Sequence, residues 1–295
     1  MIIDSFLEYL AFEKKYAKHT LIAYRKDITT FRLFCLHELE VDDLKNVLYV
    51  HVRAWIVALV DTGISNSSIN RKMSSLKSLY AFLQRTGQVE KNPLAQHKSL
   101  KVAKKVQVPF TIDEVFGVLS SLEQKTDFSH VRDQFMVALF YATGIRRAEL
   151  IGLKMNAVDV EHSMLKVLGK RNKERLIPLI PSVVDAYSKY MVARSKLQTT
   201  VDFLIVTDKG NKMYETFVYR KINSYFSEIS VKVKKSPHIL RHSFATHLLN
   251  EGADLYAVKE LLGHSSLAST QVYTHTTLEN LKRMYNQSHP RGKKK

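Results

Sequence analysis

Apolar residues recur every three to four positions through most of the first 90 residues, the period of helices that bury one face. Phe6, Leu7, Leu10 and Ala11 make the first such stripe. Leu21, Tyr24, Ile28 and Phe31 make a second, with Thr20 as its predicted cap. Val52, Trp55, Ile56 and Leu59 make a third, which Gly63 stops. Ile69, Met73, Leu76, Leu79, Tyr80 and Leu83 make a fourth, opened by Ser65 or Ser67 and stopped by Gly87. No proline precedes Pro93, so residues 1–90 read as a small helical bundle.

The pattern then breaks. Residues 91–108 carry Pro93 and five lysines (91, 98, 101, 104 and 105) with little periodicity, and read as a basic linker. A second domain, 109–295, begins after it. Thr111 and Glu114 form a T-x-x-E capping box ahead of Val115, Val118 and Leu119. Val131 to Tyr141 is a mostly apolar helix that ends near Gly144, and Arg146 and Glu149, three apart, open the next. Their apolar neighbours Leu150 and Leu153 argue that the pair is partly buried. From Val158 the period shortens to two. Val158–Val160, Leu165–Leu168 and Arg175–Leu179 predict a small antiparallel sheet with Gly169–Lys173 at a turn. Helices over Pro181–Arg194 and Thr216–Ile229 follow, with a brief strand Phe203–Val206 between them. The class is therefore mainly α with a small antiparallel β-sheet: a helical bundle followed by an α+β domain.

One later stretch organises the rest. Ser236 before Pro237 is a helix start, an oxygen acceptor at the cap and then a proline whose missing N–H costs nothing there. His238 and Arg241 share a face of that helix. Gly252 and Gly263 each follow an apolar helical run and read as stops. His264 comes directly after the second, and Tyr273 nine residues later. Two histidines, an arginine and a tyrosine delivered from separate helix ends are able to converge on one phosphate. A final helix, Leu278 to about Asn286, precedes the tail H-P-R-G-K-K-K.

Charge sharpens the picture. Lys and Arg number 45 against 28 Asp and Glu, a formal charge of +17 over 295 residues, which favours a polyanionic partner such as nucleic acid. The single cysteine, Cys35, excludes an intramolecular disulfide and a multi-cysteine metal site. The first ten residues mix acids among apolar positions without a basic lead-in, unlike a signal peptide. No apolar run approaches the roughly 18 residues of a membrane span. A cytoplasmic protein without membrane insertion is expected.

These motifs together resemble the tyrosine recombinase (phage integrase) family, and within it the compact Xer-type group. The resemblance rests on H-I-L-R-H-S-F-A-T-H at 238–247, L-L-G-H at 261–264 and Tyr273. Upstream, Y-A-T-G-I-R-R-A-E-L at 141–150 resembles the family's first arginine box, and L-G-K-R-N-K-E-R-L-I-P-L at 168–179 its β-hairpin lysine motif. Arg171 departs from that motif, where glycine commonly follows the lysine. The resemblance implies a SAM-like core-binding domain for the N-terminal bundle and a catalytic domain of the tyrosine recombinase type for the remainder. It implies a nucleophile at Tyr273, a catalytic set of Arg146, Lys170, His238, Arg241 and His264, and a supporting Glu149.

The chemistry asks for these residue types. A tyrosine that attacks a phosphodiester keeps the bond energy in a phosphotyrosine, which a DNA 5′-hydroxyl then attacks. Two planar, permanently charged guanidiniums suit the extra negative charge on the non-bridging oxygens. Lys170 on its hairpin is a candidate general acid for the leaving oxygen, or simply a solvated lysine. His238 is a candidate proton acceptor or donor near the tyrosine, and His264 a phosphate donor. Neither a metal nor another cofactor is required. The implied partner is double-stranded DNA with inverted half-sites, bound by four protomers on two duplexes, either self or a paralogous recombinase. A DNA translocase of the division septum is a further possible partner. Arg71, Lys72 and Lys77 on the fourth helix, and Lys101, Lys104 and Lys105 in the linker, are candidate DNA contacts or a solvated charged face. Leu278, Leu281 and Tyr285 dock either on a neighbouring protomer or on their own domain. An integrase or invertase of a mobile element, a type IB topoisomerase and a non-catalytic architectural DNA-binding protein are the other readings.

Overall fold

The computed structural model describes residues 2–103, 107–169, 174–232, 234–263 and 289–290. The chain forms two compact units, Met1–Lys105 and Val106–Lys295.

In the first unit, α1 (Ile2–Glu8) runs into a π-helical turn (Tyr9–Glu13), and α2 (Lys18–Leu39), α3 (Tyr49–Asp61) and α4 (Asn66–Arg85) follow. Phe6, Phe31, Trp55, Leu76 and Tyr80 are buried between them. The faces are those the apolar period marks. Thr20 does not cap α2. The Ala17 carbonyl already accepts from the N–H groups of Thr20 and Leu21, so the first turn closes before Thr20. Ser65 caps α4 by accepting from the Ser68 N–H.

The described part of the lysine-rich stretch is strapped to this bundle. Leu94 is buried in its core. The Asn70 amide donates to the Leu100 carbonyl at 2.9 Å and accepts from the Leu100 N–H at 2.8 Å. Asn66 donates to the Lys101 carbonyl and Lys77 to that of His97. Side-chain bonds to backbone hold this segment, so it shows no apolar period. Lys104 and Lys105 lie outside the described residues.

The second unit contains α5 (Ile112–Glu123), α6 (Phe128–Thr143), α7 (Arg147–Gly152), a three-stranded sheet, α8 (Pro181–Ser195), α9 (Glu215–Ile229), α10 (Pro237–Asn250) and α11 (Leu255–Leu262). The sheet has the order β1 (Val158–Asp159), β2 (Met164–Leu168), β3 (Glu174–Pro178), antiparallel throughout. Leu165 stands opposite Ile177, both buried, and Leu168 opposite Glu174. Helix α6 is the centre of this unit, with every residue from Arg132 to Thr143 buried. Thr111 and Glu114 make the capping box of α5.

Residues 203–206 form no strand. Single bridges join Phe203 to Lys154 and Val206 to Lys212. The buried Tyr190 hydroxyl donates to the Leu204 carbonyl and accepts from the Val206 N–H, taking the place of a strand partner. The predicted helix with Leu278, Leu281 and Tyr285 lies outside the described residues. Among the described residues no helix is long and apolar enough to cross a membrane.

Candidate active site

The site is built where four chain segments of the second unit meet. Ser236 caps α10 through the Ile239 N–H, and Pro237 occupies the first turn. This start presents His238 to solvent and, one turn on, places Arg241 inward. The end of α6 meets them at Gly144. Its φ of +56° is left-handed, and a Cβ there would strike the Phe244 ring and come within 2.9 Å of Leu262. Only glycine suits both the turn and the contact. The next residues start α7, where Arg146 is the N-cap and Glu149 accepts from its backbone N–H at 2.7 Å. The fourth segment is the end of α11, which stops at Gly263 with φ +64°.

Three consecutive carbonyls at that helix end each meet an arginine. Arg175 Nε donates to Leu261 O at 3.0 Å, Arg241 to Leu262 O at 2.7 Å and Arg146 to Gly263 O at 2.8 Å. The unpaired carbonyls of a helix C-terminus carry partial negative charge, so cations are favoured there. Arg241 also donates to Gly144 O at 2.5 Å. Burial, and then the neighbouring Arg146 charge, push its guanidinium down to about 10, which leaves it protonated at neutral pH.

Glu149 is the counter-charge, its side chain 7% exposed. It accepts from Arg146 Nη1 at 2.8 Å and from two nitrogens of Arg175 at 3.0 and 2.8 Å. Burial on its own would raise its pKa, but the bonds from Arg175 and Arg146 outweigh it and hold the carboxyl below the ordinary range. A cleft of about 670 Å³ opens over Arg146, Arg147, His238, Arg241 and His242. A cleft with two fixed guanidiniums and a reachable imidazole can bind a phosphodiester and stabilise charge that grows on it.

The structure thus brings Arg146, Glu149, His238 and Arg241 together. Lys170, His264 and Tyr273 lie outside the described residues, although His264 directly follows Gly263 in the chain. Of the DNA-contact candidates in the first unit, Arg71 and Lys72 both bind the buried Asp27, at 2.6 and 3.2 Å. Arg71 remains 51% exposed and Lys72 only 13%. The Lys77 ammonium is taken up by the His97 carbonyl, and Lys101 is exposed. Sequence reasoning missed Arg175, placing it only as a strand residue. The available signal was its position in the sequence, five residues after Lys170.

A helical bundle followed by a helix-rich unit with a small antiparallel sheet is a fold shared with solved DNA integrases and site-specific recombinases. The Tn1549 transposon integrase, in complex with circular intermediate DNA, matches with a TM-score of 0.72 and 20% identity, covering 95% of this chain and 98% of that one. The XerH site-specific recombinase bound to difH substrate matches at 0.68 and 19%, covering 98% and 92%. In sequence, the phage integrase family pattern matches residues 110–280, and that of the phage integrase N-terminal SAM-like domain matches 3–87. The tyrosine recombinase XerC of Oceanobacillus iheyensis is 38% identical over 99% of this chain and 97% of its own. That of Listeria innocua is 35% identical over 97% of each. The chain belongs to the phage integrase family, the tyrosine recombinases, and is of the Xer type.

Proposed function

We propose that this protein is a site-specific recombinase that cuts and rejoins DNA through a covalent 3′-phosphotyrosine at Tyr273, without metal or ATP. The observation that carries the reading is the pair of guanidiniums, Arg146 and Arg241, held on adjacent carbonyls beside His238 in one cleft. Arg146 and Arg241 bind the scissile phosphate and stabilise its pentavalent transition state. His238 and His264 assist at the tyrosine and the phosphate, and Lys170 protonates the 5′-oxygen as it leaves. The phosphotyrosine conserves the bond, so the 5′-hydroxyl of a second strand reverses the step without further input.

The substrate is a dif-like duplex with inverted half-sites, and the biological role is resolution of chromosome dimers in the cytoplasm. Four protomers act on two duplexes, with self or a paralogous recombinase, and under a septal DNA translocase. Identity of 35–38% to proteins named XerC along nearly the whole chain favours this role over that of a mobile-element integrase, whose likeness here is one of fold.

The test is incubation with fragmented genomic DNA of the source organism, denaturation with detergent, and sequencing of the ends that stay on protein. Wild type is expected to retain 3′ ends at one sequence class. Tyr273→Phe is expected to bind the same DNA and retain none. An adduct that persists in Tyr273→Phe sinks the nucleophile assignment.

A further inference from the structure

Among the described residues, Arg175 is the one arginine at the α11 end that the proposed chemistry does not use. Its side chain is 14% exposed, and it reaches across from β3 to make three bonds at once, two to Glu149 and one to the Leu261 carbonyl. A carboxylate offers about four lone-pair sites. Those of Glu149 take four donors: two from Arg175, one from the Arg146 side chain and one from the Arg146 backbone. Glu149 is full, and Arg175 is what fills it.

The consequence falls on Arg146. An arginine three residues from a buried carboxylate would ordinarily close on it with both arms of its fork. Here each oxygen of Glu149 already holds an Arg175 nitrogen, so Arg146 gives Glu149 a single side-chain bond and sends Nη2 to Gly263 O. Two of its five N–H donors are taken by described residues, and it still lines the cleft.

We propose that Arg175 is a positioning residue for strand cleavage: by occupying Glu149 it stops that carboxylate from capturing Arg146, and so keeps the Arg146 guanidinium turned toward the DNA phosphate. This rests on the recombinase reading above. Lysine cannot replace it, since a single ammonium has no fork to cover both oxygens and reach Leu261 as well.

The experiment measures covalent-adduct formation on nicked duplexes built from the sequence recovered with wild-type protein, with Tyr273→Phe as the blank. Arg175→Ala and Arg175→Lys are expected to bind this DNA as wild type does and to form adduct about 100-fold more slowly, the size of losing one fixed charge-stabilising donor. The deciding variant is Arg175→Ala with Glu149→Gln. A neutral amide no longer captures Arg146, so the double variant is expected to cleave faster than Arg175→Ala alone, although Glu149→Gln by itself slows wild type. A purely structural Arg175 predicts the opposite, a further loss on adding the second change. If Arg175→Ala melts early by circular dichroism, Arg175→Lys in the same pair of backgrounds answers the question. Cleavage at the wild-type rate by Arg175→Lys, or a double variant slower than its parent, overturns the proposal while leaving the recombinase reading intact. Absence of any Tyr273-dependent adduct in wild type overturns that reading, and this proposal with it.

Discussion

Asp27 in the helical unit and Glu149 in the catalytic unit are each a carboxylate with a largely buried side chain beneath two cations, and the two arrangements differ in what surrounds the cations. In the helical unit, Asp27 on α2 accepts from Arg71, Lys72 and Ser75 on α4. Its cations have water or an aromatic face as their next neighbour: Arg71 is half exposed, and Lys72 lies 5.7 Å from the centre of the Trp55 ring. In the catalytic unit, Glu149 joins α7 to β3, and its two arginines continue to the last carbonyls of α11. The first arrangement is a staple between two helices. The second is a junction whose geometry decides where a guanidinium points. A buried ion pair is weak evidence of stability in either place; what distinguishes them is that the arginines on Glu149 are also bonded to backbone carbonyls at a helix end.

The largest test of this difference is removal of the acid. Glu149→Ala strands the largely buried Arg175, while Arg146, 41% exposed, stays free to turn into the cleft; the change is expected to cost the catalytic unit about 3–5 kcal/mol. Asp27→Ala lets Arg71 turn into solvent, and is expected to cost the helical unit about 1–3 kcal/mol. Trp55 is the only tryptophan and is buried in the helical unit, so its fluorescence in urea reads the Asp27 variant. Far-UV circular dichroism sums the helices of both units, so the part of its transition that Trp55 fluorescence does not follow reads the Glu149 variant. Equal losses would mean that the two sites are alike after all.

The same contrast shows what was legible in the sequence. Ser236–Pro237, the Thr111–Glu114 box and the Arg146–Glu149 spacing are local rules, and the structure contains each of them. The helical and strand periods placed the elements because one face of each is buried. What escaped were bonds between side chains and distant backbone. Arg175 meets Glu149 across 26 residues and Leu261 across 86. Tyr190 replaces a strand at 204–206, and Asn70 pins Leu100 where a lysine-rich stretch read as a linker. Such contacts leave no period, because one polar side chain does what a buried stripe does elsewhere. Asp27 was equally silent, as an acid on a helix otherwise read by its apolar positions.

A smaller effect separates the two cations on Asp27. The exposed edge of Arg71 is open to a DNA phosphate, whereas the Lys72 ammonium is largely covered. Arg71→Ala is expected to weaken DNA binding across sequences and to reduce the slope of log affinity against log salt by about 1. Lys72→Ala is expected to leave that slope unchanged. Fluorescence anisotropy of a labelled duplex at several salt concentrations measures both, and a fall in slope for Lys72→Ala would show that the covered ammonium swings out on binding.

The finest distinction lies in acid. Burial is the largest influence on both carboxyls and would raise them, yet the bonds they accept leave both below their ordinary values of 3.8 for Asp27 and 4.5 for Glu149. A carboxyl held low in the folded state adds stability that is complete above its unfolded value and fades as the pH falls toward its folded one. The loss therefore begins near pH 4.5 in the catalytic unit and near 3.8 in the helical unit. Glu114 reinforces the order. Burial acts against ionisation there too, but bonds from Lys232, the Thr111 N–H and Ser230 bring it down to about 2, so its contribution also begins to fade near 4.5. Urea midpoints taken at steps from pH 6 to pH 3 should fall first in the part of the circular dichroism transition that Trp55 fluorescence does not follow, and later by Trp55 fluorescence. Glu114→Gln should flatten only the first curve, since an amide has no proton to gain in this range. If instead the fluorescence midpoint falls first, Asp27 is not the carboxylate that governs the helical unit in acid, and the staple holds by its buried apolar neighbours rather than by its charge.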